Sequence, residues 1–285
     1  MRLDGQEDLG THPFSPQVSA AVRTFRNTEL QFGFGRYVQT QFPSFPAAGS
    51  CLPDEQVLQR SNQYTAGVEQ RFGENTRIRL QAFDRQSNDL VFVSNIPPCS
   101  SGGFLPSGSS FRRNYSRGAQ VVVQRRSANR LSGWVGYTLV YARQSDLFTS
   151  GNSSLFSPYF VGSEDQRHSV NGFASYRLRP TINLSAKVLY GSGFPVSGGL
   201  ENGPGGQPRP APVVRPEPYF RLDPRADKCW AFTRWKLTLY GEVLNLTDHN
   251  NRIMTSTTFL PSGQLVSHTL RALPITPTAG LVFEF

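Results

Sequence analysis

From Lys236 to Asn245 the chain reads KLTLYGEVLN. Leu237, Leu239, Gly241 and Val243 share one parity, and Lys236, Thr238, Tyr240 and Glu242 share the other. Period two marks a strand with one wet face and one apolar face. The same alternation recurs along the chain. Val18, Ala20 and Val22 oppose Ser19, Ala21 and Arg23, and Leu30, Phe32 and Phe34 oppose Gln31, Gly33 and Gly35. Ala66, Val68 and Phe72 oppose Thr65, Glu69 and Arg71, and Ile78, Leu80 and Ala82 oppose Arg77, Arg79 and Gln81. Ala119, Val121 and Val123 follow, then Ile182, Leu184, Ala186, Val188 and Tyr190 against Asn183, Ser185 and Lys187. Only the run LSGWVGYTLVYA (131–142) is apolar on both parities and gives no orientation.

Two kinds of connection alternate between these runs. Tight turns are predicted at Arg26-Asn27-Thr28, Gly73-Glu74-Asn75, Ser127-Ala128-Asn129, Arg179-Pro180 and near Phe232-Thr233-Arg234. Long loops rich in Pro, Gly, Ser and Asn are predicted near 39–60, 93–112, 145–165, 194–218 and 247–272. The count comes to about eleven strands of about ten residues, long enough to cross a bilayer at a tilt. Short turns at one end and long loops at the other are the habit of transmembrane β-barrels. The expected fold is therefore all-β, an antiparallel transmembrane barrel with its apolar parity toward lipid and its polar parity toward the lumen. Tyr64, Phe72, Tyr190, Trp230 and Trp235 fall near strand ends, where an aromatic girdle would sit.

Composition sharpens this reading. Of 285 residues 38% are hydrophobic, yet 21 are Phe and 10 are Tyr. Mean hydropathy is −0.38. That mixture suits a half-polar sheet better than a thick helical core. The net charge of +9 raises nucleic acid as a partner. However, Arg77, Arg79 and Arg85 alternate with apolar residues, as do Arg177 and Arg179, and no nucleic-acid motif accompanies them. Basic side chains on a wet sheet face are the reading adopted. No run of about 20 apolar residues exists to form a membrane helix. RLDGQEDLGTHP after Met1 has no apolar core and is not expected to be a signal peptide. Cys51, Cys99 and Cys229 show no metal spacing, and a Cys51–Cys99 disulfide is a possible pairing.

The terminus TAGLVFEF places Leu281, Phe283 and Phe285 on one parity. It resembles the C-terminal strand by which outer-membrane barrels are recognised for assembly. Gly280, Phe283 and Phe285 match that signal, and Ala279 departs from its usual polar residue. RSNQYTAGVEQRFGENTRIRLQAFDRQSNDLVF (60–92), YGSGFPVSGG (190–199), LDPRADKCWAF (222–232) and WKLTLYGEVLNLTDHNN (235–251) resemble segments of TonB-dependent receptors, closest to the Oar-like transporters. The resemblance implies a barrel of about 22 strands with a plug, of which residues 1–285 would supply about the last half. Plug, energy-coupling box and signal peptide are not expected within it. It also implies that Asn245 closes a membrane-spanning strand, leaving Thr247 to Asn251 only to face water.

No catalytic set, cofactor site or metal site is expected. His12, His168, His249 and His268 belong to no HExxH, and no GxSxG occurs. Asn245-Leu246-Thr247 is formally a sequon, and Glu164 and Asp165 are read as loop charges. The function implied is that of a non-enzymatic receptor wall in the bacterial outer membrane, taking part in uptake of a nutrient ligand of unknown kind. Its implied partners are lipid, the barrel-assembly machinery and, through a plug, the TonB system. A complete small pore and a secreted β-sheet binding module are the alternatives. An odd strand count stands against the pore, and the amphipathic parity stands against the module.

Overall fold

The alternating runs fold as an antiparallel meander. In the computed structural model, which describes residues 2–3, 14–41, 57–93, 109–150, 153–162, 164–195, 200–202, 208–210, 213, 215–259 and 265–285, the strands are β1 (Gln17–Phe25), β2 (Thr28–Gln41), β3 (Val57–Phe72), β4 (Thr76–Val93), β5 (Ser109–Ala128), β6 (Leu131–Ser150), β7 (His168–Arg179), β8 (Ile182–Gly191), β9 (Tyr219–Ala231), β10 (Lys236–Leu244) and β11 (Thr276–Glu284). Each pairs with its sequence neighbours, in the order β11 through β1. Two short pieces, Ser153–Phe156 and Phe160–Val161, lie on β6 and bring the sheet to thirteen strands. The eleven-strand expectation for the main path is met.

Five turns gather at one end of the sheet, which we call the inner end. Those at Arg26-Asn27, Gly73–Asn75 and Phe232–Trp235 fall where the sequence placed them. The turn expected at Ser127–Asn129 instead closes at Asn129-Arg130, with Ala128 opposite Leu131. Both turn residues have positive φ, 51° and 68°. A two-residue hairpin needs that geometry to match the strand twist, so the ladder runs on to Ala128. Phe285 lies at the inner end and Asn250 at the outer end, because Lys236 pairs with Glu284 and Leu244 with Thr276.

Strand length is a correction. β3 through β6 have 16, 18, 20 and 20 residues, well beyond the ten expected. Their outer halves are polar and hydrogen-bonded as ladders, so pairing continues where a bilayer would have ended. The loops also hold hairpins, Arg252–Phe259 with Leu265–Arg271 and Leu200–Asn202 with Pro208–Pro210.

Register carries one apolar face across the whole sheet. Val18 pairs with Phe34, Leu30 with Val68, Val68 with Leu80 and Leu80 with Val121. Val121 pairs with Tyr137, Tyr137 with Val170 and Val170 with Tyr190. Directly opposed residues share a face, so the ambiguous run 131–142 is now oriented. Val135, Tyr137 and Leu139 join the apolar side, and Trp134, Gly136 and Thr138 join the polar side. Cross-strand pairing settles what periodicity within the run could not.

That face is not a core. Among the described residues only Ala142 and Phe160 are buried hydrophobics, whereas Val18 is 67%, Leu80 47% and Leu281 59% exposed. In water each such side chain would forgo about 1.5–3 kcal/mol of burial. A hydrocarbon solvent removes that cost. Arg117 and Arg125 lie on the apolar parity and bracket Ala119, Val121 and Val123. At about 3.3 Å per residue they stand about 26 Å apart. Tilted by about 40°, that spans about 20 Å of height, most of an outer-membrane apolar band of about 25 Å. Tyr64 and Phe72 bracket the apolar stretch of β3, Ala66 and Val68, in the same way.

Both edges of the sheet are unpaired among the described residues: β1 meets only β2, and β11 meets only β10. Both edge strands run from the outer end toward the inner end.

Candidate functional site

The polar parity forms a wall that carries several ion pairs and hydrogen bonds between neighbouring strands. Glu69, 3% exposed, lies 2.9 Å from Arg79 and 3.3 Å from Arg71. Arg77 donates to Gln124 at 2.8 Å, and Arg112 grips Asp146 with two bonds of 2.6 and 3.2 Å. Alternation places these groups side by side on neighbouring strands, and Arg71, Arg77 and Arg126 line a small pocket beside the turn at Gly73–Asn75. Toward the outer end the wall opens into a cavity of about 700 Å³ lined by residues including Tyr37, Gln63, Gln81, Phe83, Asn114 and Gln144.

Above the wall is a rim of buried polar groups. Asp165, read from sequence as a loop charge, is 0% exposed and holds three arginines. Arg167 reaches it with two bonds of 3.1 Å, Arg215 at 2.9 Å, and Arg143 from β6. Arg215 also donates to the Asp165 and Gly193 carbonyls. Burial pushes the Asp165 carboxyl up, but hydrogen bonds from Arg167, Arg215 and Arg143 outweigh it and hold the carboxyl below the ordinary aspartate range. The cluster ties three chain segments together. Arg167 also covers the Tyr141 ring at 4.0 Å.

NLTDHNN forms a second knot, and here the water-facing expectation fails at Asn251, although Thr247, Asp248 and Asn250 are exposed. Asn245 (0% exposed) and Asn251 (2%) are among the most buried side chains described. Asn245 has φ of 52°, and its backbone N–H donates to Asp223 Oδ1 at 2.9 Å. Its amide donates to the carbonyls of His249 and Leu273, and its Oδ1 accepts from the His249 N–H. Asn251 exchanges bonds of 2.8 and 2.7 Å with the Phe220 backbone, and Asp248 accepts from the Ile275 N–H. These side chains replace ladder partners that the chain loses where β10 ends, an exchange at which Asn and Asp excel. Asn245 is enclosed, so its sequon is not a surface acceptor.

Of the residues matched to an assembly signal, Gly280 and Phe283 stand on β11 and Phe285 follows its last residue. Phe283 pairs with Leu237, and its ring lies 6.2 Å from Trp235 at the inner end. Phe285 is fully exposed. Gly280 has a local reason as well, since a Cβ there would lie 2.5 Å from the Tyr240 hydroxyl. Tyr240 lies across that strand, with the Arg225 guanidinium 4.0 Å above its ring. Cys51, Cys99 and His12 fall outside the described residues. Cys229 is a free thiol in β9. His168 bonds the Tyr137 hydroxyl at 2.8 Å and His249 the Pro218 carbonyl at 2.9 Å. Among the described residues no cluster of His, Cys, Asp and Glu could hold a metal.

No family model and no curated protein matches the chain. Solved structures do. The ferripyoverdine receptor of the Pseudomonas aeruginosa outer membrane, bound to ferripyoverdine, aligns with 96% of the chain at 12% identity and a TM-score of 0.58. The same receptor (FpvA) with a heterologous pyoverdine covers 84% at 12% identity and 0.57. The ferric-catecholate import receptor Fiu of E. coli K12, in its closed form, covers 94% at 16% identity and 0.56. The chain corresponds to 32%, 29% and 34% of those proteins, so it spans about a third of their length. With its inverted faces and its opposed turn and loop ends, the chain carries the fold of part of a TonB-dependent outer-membrane receptor barrel.

Proposed function

We propose that this chain forms part of the wall of a TonB-dependent receptor in the bacterial outer membrane and contributes to uptake of a nutrient ligand. The observation that carries this reading is the apolar face that register continues across eleven strands, exposed on one side of a sheet whose other side is polar and carries several ion pairs. Ligand would be taken at the outer end, where the rim knots hold the loops and the polar wall opens. Energy coupling would act through a plug. Gly280, Phe283 and Phe285 would serve recognition by the barrel-assembly machinery, and Cys51 with Cys99 would form a disulfide in the oxidising periplasm.

Edge direction favours this reading over a small self-closed pore. β1 and β11 run the same way, so joining them would make a parallel seam in an otherwise antiparallel barrel. An antiparallel complement must bring an odd number of strands.

The test uses single cysteines in a cysteine-free background of the whole chain, reconstituted in liposomes. Gln81→Cys should react with a water-soluble maleimide and Leu80→Cys should be shielded. Equal reaction at both positions, or a soluble monomer without detergent, overturns the proposal. Phe285→Ala gives a clean test of the assembly signal, because that side chain supports nothing else in the sheet. Outer-membrane insertion in cells should fall, while detergent refolding stays unchanged.

A further inference from the structure

We infer that the outer part of the polar wall is a binding surface for an uncharged oligosaccharide, a ligand class that rests on the receptor reading above. Two aromatic rings reach over glycines of the wall. A Cβ at Gly35 would be 2.7 Å from the Tyr37 ring, and one at Gly118 would be 2.7 Å from the Phe83 ring. Each ring therefore overhangs glycine backbone, in space that a Cβ would occupy, and both line the cavity. Tyr37 is 44% exposed. β2 and β4 are separated by β3, which sets the two platforms about 10–15 Å apart by strand spacing.

Between and around them stand Gln63, Gln81, Asn114 and Gln144, all lining the same cavity. None of these amides has a hydrogen-bond partner among the described residues, so their donors and acceptors are available. Amides paired with flat rings match a pyranose chain, whose hydroxyls take both roles of a hydrogen bond and whose C–H face meets the negative face of an aromatic ring. The charge balance agrees. Of the lining arginines, Arg112 is held by Asp146 and Arg143 by Asp165. Arg60 sits on the opposite parity, and Arg85 donates to Ser61, while Glu164 lines the same cavity. A polyanionic chelate would find no unmatched cationic cluster. A peptide docking as an added strand would need a free backbone edge, and β2 through β6 are paired on both sides here.

The experiment is binding by isothermal titration to the reconstituted chain, using maltoheptaose, cellohexaose and xylohexaose, with a ferric catecholate and a hexapeptide as competitors in kind. At least one glycan should bind. Tyr37→Ala and Phe83→Ala should each weaken it by about tenfold, equivalent to about 1.4 kcal/mol. Tyr37→Phe and Phe83→Tyr, which keep the platforms, should bind as the parent does. Binding of the chelate or peptide alone overturns the inference, as does glycan binding indifferent to both rings. Silence toward all three glycans overturns it too, provided Gln81→Cys and Leu80→Cys still label asymmetrically. If that asymmetry is absent, the receptor reading itself has failed.

Discussion

The apolar belt and the outer rim keep order by opposite means. In the belt, side chains hold one another weakly, and the backbone ladder with the solvent outside does most of the fixing. Val18, Leu80 and Leu281 touch little, and their contribution depends on being in hydrocarbon. In the rim, Asp165, Asn245 and Asn251 are enclosed and bonded to several chain segments each. Polarity alone is therefore specified in the belt, whereas atom-by-atom identity is specified in the rim. A hydrophobe can replace a hydrophobe below, but even isosteric changes should be costly above.

The largest effect should come from reversing polarity in mid-belt. Leu80 lies in β4 opposite Val121, midway between the levels of Arg117 and Arg125 on β5. Leu80→Arg should cost about 2–4 kcal/mol of folding stability in liposomes, and Gln81→Arg on the polar wall close to none. Leu239→Arg, nearer the inner end beside Lys228, should fall at the low end of that range. Urea unfolding monitored by tryptophan fluorescence reads all three. Equal losses at Leu80 and Gln81 would erase the distinction between the faces.

Next comes the rim. Removing one partner of a fully buried ion pair costs about 3–5 kcal/mol. The three arginines around Asp165 remain about a quarter exposed, so Asp165→Asn should cost less, about 2–3 kcal/mol. Protease cleavage in the loops around 151–167 and 192–218 should rise with it. Because the folded carboxyl titrates below its unfolded value, the stabilisation is present above the ordinary aspartate range. It disappears as pH falls through the depressed pKa. Rim stability should thus be flat from neutral pH down to about pH 5 and weaken only in stronger acid. A loss already complete at pH 6 would mean that a group other than Asp165 governs the rim.

Asn245 combines both costs at one residue. Asn245→Ala would leave the His249 N–H and the Leu273 carbonyl without partners and put Ala at positive φ, for a loss of about 2 kcal/mol. Asn245→Asp, which keeps the acceptor but not the amide donor, should lose roughly half of that. If the two variants are equal, the donor bonds are not what holds the turn.

The unequal legibility of these regions has the same origin. Parity along 18–22, 30–34 and 182–190 was readable because period-two burial is a local property of sequence. The run 131–142 was not, because Val135 and Trp134 differ only in which neighbours they meet across the strand. Asp165 gave no local signal, since its partners Arg143 and Arg215 are distant in sequence and reached only through the fold. Asn245 and Asn251 were visible as turn formers, but nothing in NLTDHNN says that Asp223 and Phe220 would close over them. The polar wall offered a fainter clue, Gln63, Gln81 and Phe83 recurring on one parity, whose meaning depended on register.

The smallest effect tests the turn after β5 at the inner end, where backbone geometry sets the order. Arg130 has φ of 68° in the two-residue turn after β5, and a side chain there costs about 1 kcal/mol relative to an unstrained conformation. Its carbonyl accepts from the Arg177 N–H at 2.9 Å, a bond that any residue can supply. Glycine would relieve the strain and complete the Asn-Gly pair that such turns prefer. It would also release more conformational freedom in the unfolded chain, offsetting about 0.5–1 kcal/mol of the gain. Arg130→Gly should therefore raise stability by no more than about 0.5 kcal/mol, read as a small upward shift of the urea midpoint with unchanged slope. A clear downward shift would mean that the Arg130 side chain supports the inner end, and that this end resembles the rim more than the belt.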